Sequence, residues 1–299
     1  MKDQISICIC TYRRNKMLEQ LLRKIMYQDT FGYFDYSVVV VDNDATGHAQ
    51  ETVSCLGQEL GIDITYGIEP VRTIPTARNH AVRLARGNYI AIIDDDEFPT
   101  PNWLLNLYNG IQTFGADGAL GPVFPFFEKK PPSWLIKGGF CERPVHRTGT
   151  ILQWHETRTG NVLLKKAVFD RYNLSFDPNF KTGGSDQQFF REAINHGCKF
   201  VAVEEAPVYE IVPPERWTKT YYLKRAIING YNAHKYNAGG DQITLAGKSF
   251  FALLVYSLIL PFSFIVGTHE VMKYAEKAVH HLSRLAAMLG VELHKRRDF

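Results

Sequence analysis

Residues 89–97 read Tyr-Ile-Ala-Ile-Ile-Asp-Asp-Asp-Glu, an apolar run that leads directly into four consecutive acidic side chains. The apolar part has the length and composition of a buried strand. Four carboxylates at one strand end repel one another, so the arrangement needs a cation or several hydrogen-bond donors to compensate it. Because Mg²⁺ and Mn²⁺ prefer carboxylate oxygen, we expect a site for such an ion here. A solvated acidic turn before a helix is the alternative.

Three other short apolar runs precede this strand, at 5–10, 38–41 and 62–66, and segments of helical character separate them. The spacing of apolar residues predicts helices over 16–27 and 76–85. Strands that alternate with helices are typical of a parallel sheet covered by helices, so residues 1–97 are predicted to form a doubly wound α/β half-domain.

Polar clusters follow three of these predicted strands at the point where each ends. They are Thr11-Tyr12-Arg13-Arg14, Asp42-Asn43-Asp44 and the acidic run at 94–97. Ligands of open α/β sheets bind at the carboxyl ends of the strands, so we expect the three clusters to converge on one sheet edge.

The composition excludes some classes of partner. The chain has 299 residues and carries 34 Lys and Arg against 31 acidic residues, and the resulting net charge of +3 is too small for a nucleic-acid footprint. Its five cysteines are widely spaced and show no paired metal-ligand spacing, which fits a reducing compartment. The N-terminus has no basic region followed by a long apolar run, so no secretory signal is expected.

The second half of the chain contains a stretch rich in Gly, Pro and aromatic residues, from 115 to about 150, which we expect to be irregular and to line a cleft. A further apolar run follows at 161–164. A helix is predicted over 186–195, entered from Gly183-Gly184-Ser185.

An uncharged segment at 249–268 is long enough for a helix of about 30 Å, which matches a bilayer core. Basic residues flank it on both sides, among them Lys248 before it and Lys295, Arg296 and Arg297 after it, so a single span would conflict with the positive-inside rule. Pro261 is a natural break, and we therefore predict a re-entrant or interfacial helical hairpin. A buried pair of core helices is the alternative.

Taken in order, the motifs resemble the family 2 glycosyltransferases of the GT-A fold. The resemblance runs from residue 5 to about residue 230, and among family members the sequence is most similar to bacterial glucosyltransferases that build succinoglycan-type exopolysaccharides. It rests on six pieces: Ile9-Cys10-Thr11-Tyr12-Arg13-Arg14, Val41-Asp42-Asn43-Asp44, Pro75-Thr76-Ala77-Arg78-Asn79, Asp94-Asp95-Asp96-Glu97, Arg158-Thr159-Gly160-Asn161-Val162 and Gly183-Gly184-Ser185-Asp186.

The resemblance implies a Rossmann-like GT-A catalytic domain over 1–215, divided into a nucleotide-binding half (1–97) and an acceptor half (98–215). A helical, membrane-associating region would follow over 216–299. It also implies a nucleotide-sugar site. Tyr12 would pack against the base, Thr11, Asp42 and Asn43 would read its polar edge, and Arg14 and Arg78 would contact the nucleotide sugar. Asp94 and Asp95 would serve the ribose or water-mediated metal contacts, and Asp96 would be the direct ligand of Mg²⁺ or Mn²⁺.

Asp186 matches the family position of the catalytic base, which removes a proton from the acceptor hydroxyl in an inverting transfer. Taken alone, Asp186 could equally be the cap of the helix that follows. Ser185 and Gln188 stand where further acids are frequent in the family, so the acceptor class is expected to differ. Trp134, Trp154 and Asn161 are candidate acceptor contacts, and core packing is the alternative for the tryptophans.

The resemblance therefore predicts transfer of a single sugar, with UDP-glucose the favoured donor, to a lipid-linked (polyprenyl diphosphate) saccharide. Pro213 stands at the Gln position of the Q-x-x-R-W signature that ends here in Arg216-Trp217, so processivity is not expected. The expected location is the cytoplasmic face of the bacterial inner membrane, as a peripheral or monotopic protein. Two alternatives remain, a nucleotidylyltransferase and a degenerate transferase kept as a membrane-tethered scaffold. The sequence does not indicate an oligomeric state.

Overall fold

The structure is a computed structural model that describes residues 2–180, 183–236 and 241–293. Its strands are β1 (Asp3–Thr11), β2 (Phe34–Asp42), β3 (Ile64–Ile68), β4 (Tyr89–Ile92), β5 (Glu97–Pro99), β6 (Gly118–Leu120), β7 (Val123–Phe126), β8 (Val162–Lys165), β9 (Phe200–Ala202) and β10 (Val208–Ile211). The helices are α1 (Asn15–Ile25), α2 (Gln50–Leu60), α3 (Ile74–Leu84), α4 (Trp103–Phe114), α5 (Ser133–Lys137), α6 (Ala167–Tyr172), α7 (Ser185–Asn195), α8 (Lys219–Tyr236), α9 (Gln242–Ser263) and α10 (Thr268–Met288), with 3₁₀ turns at Trp154–Glu156 and Pro214–Arg216.

Seven strands form the main sheet in the order β3-β2-β1-β4-β8-β6-β9, and β5, β10 and β7 form a small second sheet. The pairs β1–β2, β2–β3 and β1–β4 are parallel, as the alternation of strands and helices predicted. Beyond β4 the sheet is mixed, because β8 runs antiparallel to both β4 and β6. The strand order reverses between β1 and β4, and a crevice at such a switch point is where open α/β sheets bind ligands.

Alternation along β1 separates two apolar layers. Ile5, Ile7 and Ile9 are fully buried against the apolar stripe of α1, whereas Cys8 packs in a second cluster on the other face of the sheet. The stripe of α1 comes from apolar residues at helical spacing, Leu18, Leu21, Leu22 and Ile25. The two layers fix the position of the polar ends of β1 and β4.

The chain divides into two compact units. The first comprises residues up to Pro125 together with Arg143–Ile211, and the second comprises Phe126–Glu142 together with the described residues from Val212 onward. We predicted one linear boundary at residue 215. The second unit instead also contains the segment Phe126–Glu142 from the middle of the sequence, which includes α5.

The second unit contains α8, α9 and α10. Ser283 donates a hydrogen bond of 2.6 Å to the carbonyl of Ile227, which ties α10 to α8. Tyr256 of α9 packs against Tyr274 and His281 of α10, with ring centroids 6.2 and 5.8 Å apart. The short α5 carries Trp134, which packs edge-on against Phe140 and Tyr222.

Helix α9 is long and apolar enough to cross a membrane, and it is the one described helix that meets this condition. Only 6% of its apolar window is buried, so it does not form part of a core helix pair. Its exposed apolar side chains include Phe250, Phe251, Leu254, Leu258 and Phe262. The helix continues through Pro261, and the turn to α10 comes at Gly267, whose φ is +136°. Lys295, Arg296 and Arg297, named above as flanking charges, lie outside the described residues.

Candidate active site

Side-chain hydrogen bonds join the end of β1 to the acidic run that follows β4. The Thr11 hydroxyl donates to Oδ2 of Asp95 at 2.8 Å. Arg14, in the turn before α1, donates from Nη1 to Oδ1 of Asp95 at 2.9 Å and to Oδ2 of Asp96 at 3.2 Å. The clusters predicted after these two strands therefore meet at the switch point between β1 and β4.

The acidic run carries more negative charge than its protein partners offset. Burial raises the pKa of Asp95, although Arg14 and the Thr11 hydroxyl act in the opposite direction. The pKa of Glu97 is raised well above its usual value, first by burial and then by the charge of Asp94, with Asp96 and Glu210 adding to the effect. Arg143 pairs with Glu210 and only partly offsets these acids. A further cation would relieve this repulsion.

Arg78 links the acidic run to α7. The Thr73 side chain caps α3 by accepting a hydrogen bond from the Thr76 amide, and Pro75 lies in the first turn. This helix holds Arg78 so that its Nη2 donates to Oδ1 of Asp94 at 3.3 Å. Burial disfavours the charge on Arg78, yet Asp94 and Asp186 together raise its pKa. Asp186 therefore lies within electrostatic range of the arginine that binds the acidic run.

Asp186 occupies the first turn of α7, as the sequence predicted for a residue after Gly183-Gly184-Ser185. Both glycines have left-handed backbones, with φ of +112° and +97°, which any other residue would adopt only with strain. One carboxylate oxygen, Oδ1, accepts a hydrogen bond of 2.9 Å from the amide of Gln187. No side chain caps α7, so Asp186 is not used as the cap that we considered as its alternative role.

Asp42 and Asn43 both lie at the end of β2, but the structure gives them different surroundings. The Asp42 carboxylate is fully buried and accepts hydrogen bonds from the amides of Asp44 (3.0 Å) and Ala49 (2.7 Å) and from the Tyr66 hydroxyl (3.0 Å). These bonds make Asp42 an anchor for the β2–α2 turn, which does not fit the base-reading role predicted for it. The Asn43 amide nitrogen donates to the carbonyls of Glu69 and Val71, which fixes the orientation of its side-chain oxygen.

Tyr12 is flanked by two arginines. The guanidinium of Arg72 lies 4.1 Å from the ring centroid, and that of Arg13 lies 5.4 Å from it. Arg13 is held in turn by Asp44 through a bond of 2.5 Å, and this pairing lowers the pKa of Asp44 to about 2. The Tyr12 ring therefore lies beside two guanidinium groups, of which that of Arg13 is paired with Asp44, and this suits a diphosphate-bearing ligand with an aromatic base.

The three candidate acceptor residues are placed differently. Asn161 is fully buried, and its side chain bonds to Trp103 Nε1 (2.6 Å) and to the carbonyls of Pro122 and Ala206 (both 2.8 Å). It has no surface with which to contact an acceptor, so the acceptor role predicted for it does not fit the structure. Trp154 is half-buried in the first unit, with the guanidinium of Arg191 5.5 Å from its ring. Trp134 belongs to the aromatic cluster of the second unit.

Comparison with known proteins identifies the family. The family described as glycosyl transferase family 2 matches residues 6–172, more than half of the chain. The chain belongs to glycosyl transferase family 2. The chain is also 31% identical over 303 aligned residues to the succinoglycan biosynthesis protein ExoM of Rhizobium meliloti (strain 1021), and the alignment covers 96% of this chain and 94% of that protein. These findings confirm the predicted family and its similarity to exopolysaccharide proteins.

Two solved structures show the same fold at low sequence identity. The mannosyltransferase PcManGT from Pyrobaculum calidifontis, in complex with GDP-Man and Mn²⁺, has a TM-score of 0.63 and 17% identity, and the match covers 97% of this chain and 87% of that one. S. aureus TarS 1-349, in complex with UDP, has a TM-score of 0.55 and 15% identity over 98% and 93% of the two chains. The predicted GT-A fold is thereby confirmed, and the family match makes the enzyme a glycosyltransferase.

The acidic run of this glycosyltransferase fits a divalent-ion site at which the protein supplies only part of the coordination shell. Among the described residues no group of three or more His, Cys, Asp or Glu side chains could enclose a metal by itself. Mg²⁺, however, is commonly held by one or two carboxylates, with substrate phosphates and waters completing its shell. The hard oxygen donors of Asp94 and Asp96 and the raised pKa of Glu97 agree with such a site.

Sequence reasoning missed several residues of the site. Arg72 was not assigned, although it precedes the Pro75-Thr76-Ala77-Arg78-Asn79 motif after the same strand. Arg143 and Glu210 were not assigned either, because their interaction with Glu97 of the acidic run joins distant parts of the chain. Arg158 lies in a motif that carried the family resemblance, yet that motif suggested a role only for Asn161.

Proposed function

We propose that this glycosyltransferase transfers a single sugar, with inversion and with the help of a divalent metal ion, from a UDP-sugar to a lipid-linked saccharide in surface or exopolysaccharide biosynthesis. UDP-glucose is the favoured donor. The observation that carries the proposal is the network that joins Thr11 and Arg14 to Asp95 and Asp96 at the sheet switch point, where this fold class binds its ligands.

In this proposal the nucleotide lies across the ends of β1 and β2. The Tyr12 ring packs against the base, and the oriented side-chain oxygen of Asn43 accepts a hydrogen bond from it. Asp94 and Asp95 bind the ribose or contact the metal ion through water. Arg78 and Arg14 contribute positive charge beside the diphosphate. Asp96 would hold Mg²⁺ or Mn²⁺, which supplies electrostatic stabilisation to the leaving diphosphate when bound.

Asp186 is proposed to act as the general base. In an inverting transfer the acceptor hydroxyl attacks the anomeric carbon on the face opposite the leaving diphosphate, and the base removes its proton. One oxygen of Asp186 is oriented by the Gln187 amide, and both Arg78 and Arg158 are within electrostatic range of its carboxylate.

The lipid-linked acceptor and the membrane location rest on the exposed apolar α9. A soluble protein rarely leaves a helix of 22 residues with 6% of its apolar window buried, and a lipid surface would cover it. A polyprenyl diphosphate saccharide lies in that same surface. We therefore propose a peripheral or monotopic enzyme at the cytoplasmic face of the bacterial inner membrane, with Trp154 and Trp134 as candidate acceptor contacts.

The test is UDP release from a panel of UDP-sugars with Mn²⁺ or Mg²⁺, with membrane lipid extract as the source of acceptor. Wild type is compared with Asp96→Ala, Asp186→Asn and the control Asp170→Asn, which changes an exposed acid of α6. Metal-dependent release that is lost in the first two variants and retained in the control supports the proposal. If wild type binds UDP-sugars without turnover, the protein is instead a scaffold, and release of diphosphate from a sugar phosphate and UTP would indicate a nucleotidylyltransferase.

A further inference from the structure

The segment 158–160 passes directly against the acidic run. A Cβ on Gly160 would lie 2.7 Å from Oε1 of Glu97 and 3.2 Å from Oδ2 of Asp94, so any other residue here would require the Glu97 carboxylate to shift. The neighbouring Asn161 is fixed by its three side-chain hydrogen bonds. The segment therefore presents its side chains to the site from a rigid backbone.

Arg158 differs from the other arginines of the site in having no ion pair with any described residue. Arg14, Arg78 and Arg143 each pair with a carboxylate. The Nε of Arg158, in contrast, is buried without a hydrogen-bond partner. The hydroxyl of Thr159 beside it, on a residue that is 1% exposed, is also buried without a partner. Two adjacent residues thus place unused polar atoms in the same part of the molecule.

Arg158 lies within electrostatic range of both the acidic run and the proposed base. Burial lowers the pKa of Arg158 to about 10, and the charge of Arg143 acts in the same direction. Glu97 and Asp186 oppose this shift, so both lie within electrostatic range of the guanidinium. The Arg158 side chain is only partly buried, so part of it remains accessible to a ligand.

The geometry of an inverting displacement indicates where the transferred sugar lies relative to Arg158. The leaving diphosphate and the attacking hydroxyl lie on opposite faces of the anomeric carbon, so the transferred sugar lies between Asp96 and Asp186. Arg158 is coupled to groups on both sides of that position. A guanidinium without an ion pair suits the oxygen atoms of a sugar, because all of its N–H groups are hydrogen-bond donors.

We propose that Arg158 binds the hydroxyl oxygens of the transferred sugar and so determines which nucleotide sugar is used. This role rests on the proposed function of the site. It assigns to Arg158 no contact with the nucleotide, which the ends of β1 and β2 hold, and none with the acceptor.

The test is calorimetric binding of UDP and of UDP-glucose, with Mn²⁺, to wild type, Arg158→Ala and Arg158→Lys. Arg86→Ala, which removes an exposed arginine, is the matched control. We expect the Kd of UDP to change less than twofold in every variant. The Kd of the UDP-sugar should rise about 10- to 100-fold in Arg158→Ala, the effect of losing hydrogen bonds to a charged group. Arg158→Lys should fall between Arg158→Ala and wild type.

Three outcomes overturn the inference. Equal weakening of UDP and UDP-sugar would assign Arg158 to the nucleotide, and unchanged affinity for both would remove it from the donor site. A lower melting temperature for Arg158→Ala would indicate a structural role, whereas loss of an unpaired buried charge should leave the melting temperature unchanged or raise it. If wild type binds UDP but none of a panel of UDP-sugars, the proposed function itself fails, which the wild-type data alone reveal.

Discussion

Replacement of Asn161 by alanine tests whether this residue is structural or contacts the acceptor. The change removes the acceptor of Trp103 Nε1–H and the donor to the carbonyl of Ala206, and both groups are buried. The carbonyl of Pro122 keeps a second hydrogen bond, from the amide of Val208 at 3.0 Å. Two buried polar groups are therefore left unsatisfied.

The cost follows from these contacts and from the backbone. Each unsatisfied group costs about 1.5 kcal/mol, which gives about 3 kcal/mol for the two. The φ of Asn161 is +62°, and alanine in this left-handed conformation costs about a further 1 kcal/mol. We expect Asn161→Ala to lower the free energy of unfolding by about 4 kcal/mol, and the Tm by roughly 10 °C for a unit of this size.

The assay is thermal unfolding followed by circular dichroism, with Asn161→Gly as the matched control. Glycine loses the same hydrogen bonds but adopts the backbone freely, so its Tm should lie about 3 °C above that of the alanine variant. If Asn161→Ala melts within 3 °C of wild type and instead raises the KM for acceptor, the structural assignment of Asn161 is refuted.

Three further predictions concern charge and exposure. Arg14→Ala should tighten Mn²⁺ binding in the absence of the donor by about tenfold relative to Arg86→Ala, because Arg14 competes with the ion for Oδ2 of Asp96. Calorimetry would measure the Mn²⁺ affinity of both variants. Unchanged affinity would contradict a metal site at Asp96. The raised pKa of Glu97 means that the folded protein binds this proton more tightly than the unfolded chain, so the contribution of Glu97 to the stability of the metal-free protein falls as pH rises above about 4.5. Glu97→Gln should therefore melt higher than wild type at pH 8 but not at pH 4, as thermal unfolding at the two pH values would measure. The double variant Leu258→Gln with Phe262→Gln should bind anionic phospholipid vesicles at least about 100-fold more weakly in a flotation assay, because both side chains are exposed apolar groups. Unaltered flotation would show that another surface binds the lipid.

The sequence was sufficient for the parts of the fold that depend on local pattern. Apolar runs and helical spacing predicted β1, β2 and β4 and their parallel pairing, and the polar residues after β1 and β4 were expected at one edge. The antiparallel β8 could not be predicted in this way, because a buried strand has the same apolar pattern in either direction.

The roles of polar residues that follow a strand could not be assigned from the sequence alone. Asp42 and Asn161 had the appearance of ligand-binding residues, but each is saturated by groups distant in the sequence, such as Tyr66 and Trp103. A carboxylate or amide in such a position can serve a ligand or the fold, and only the tertiary contacts distinguish the two. The stacking of Arg72 on Tyr12 likewise joins loops that follow different strands.

Pro261 has a consequence for the depth of α9. Proline lacks an amide hydrogen, so the carbonyl of Ser257, four residues earlier, loses the donor that a regular helix supplies. In hydrocarbon an unpaired carbonyl costs several kcal/mol, whereas water and phosphate groups at the bilayer boundary can hydrate the residues around it. In the proposed membrane-bound enzyme, this favours a position of α9 in which its last turns remain level with the headgroups and its phenylalanines are immersed.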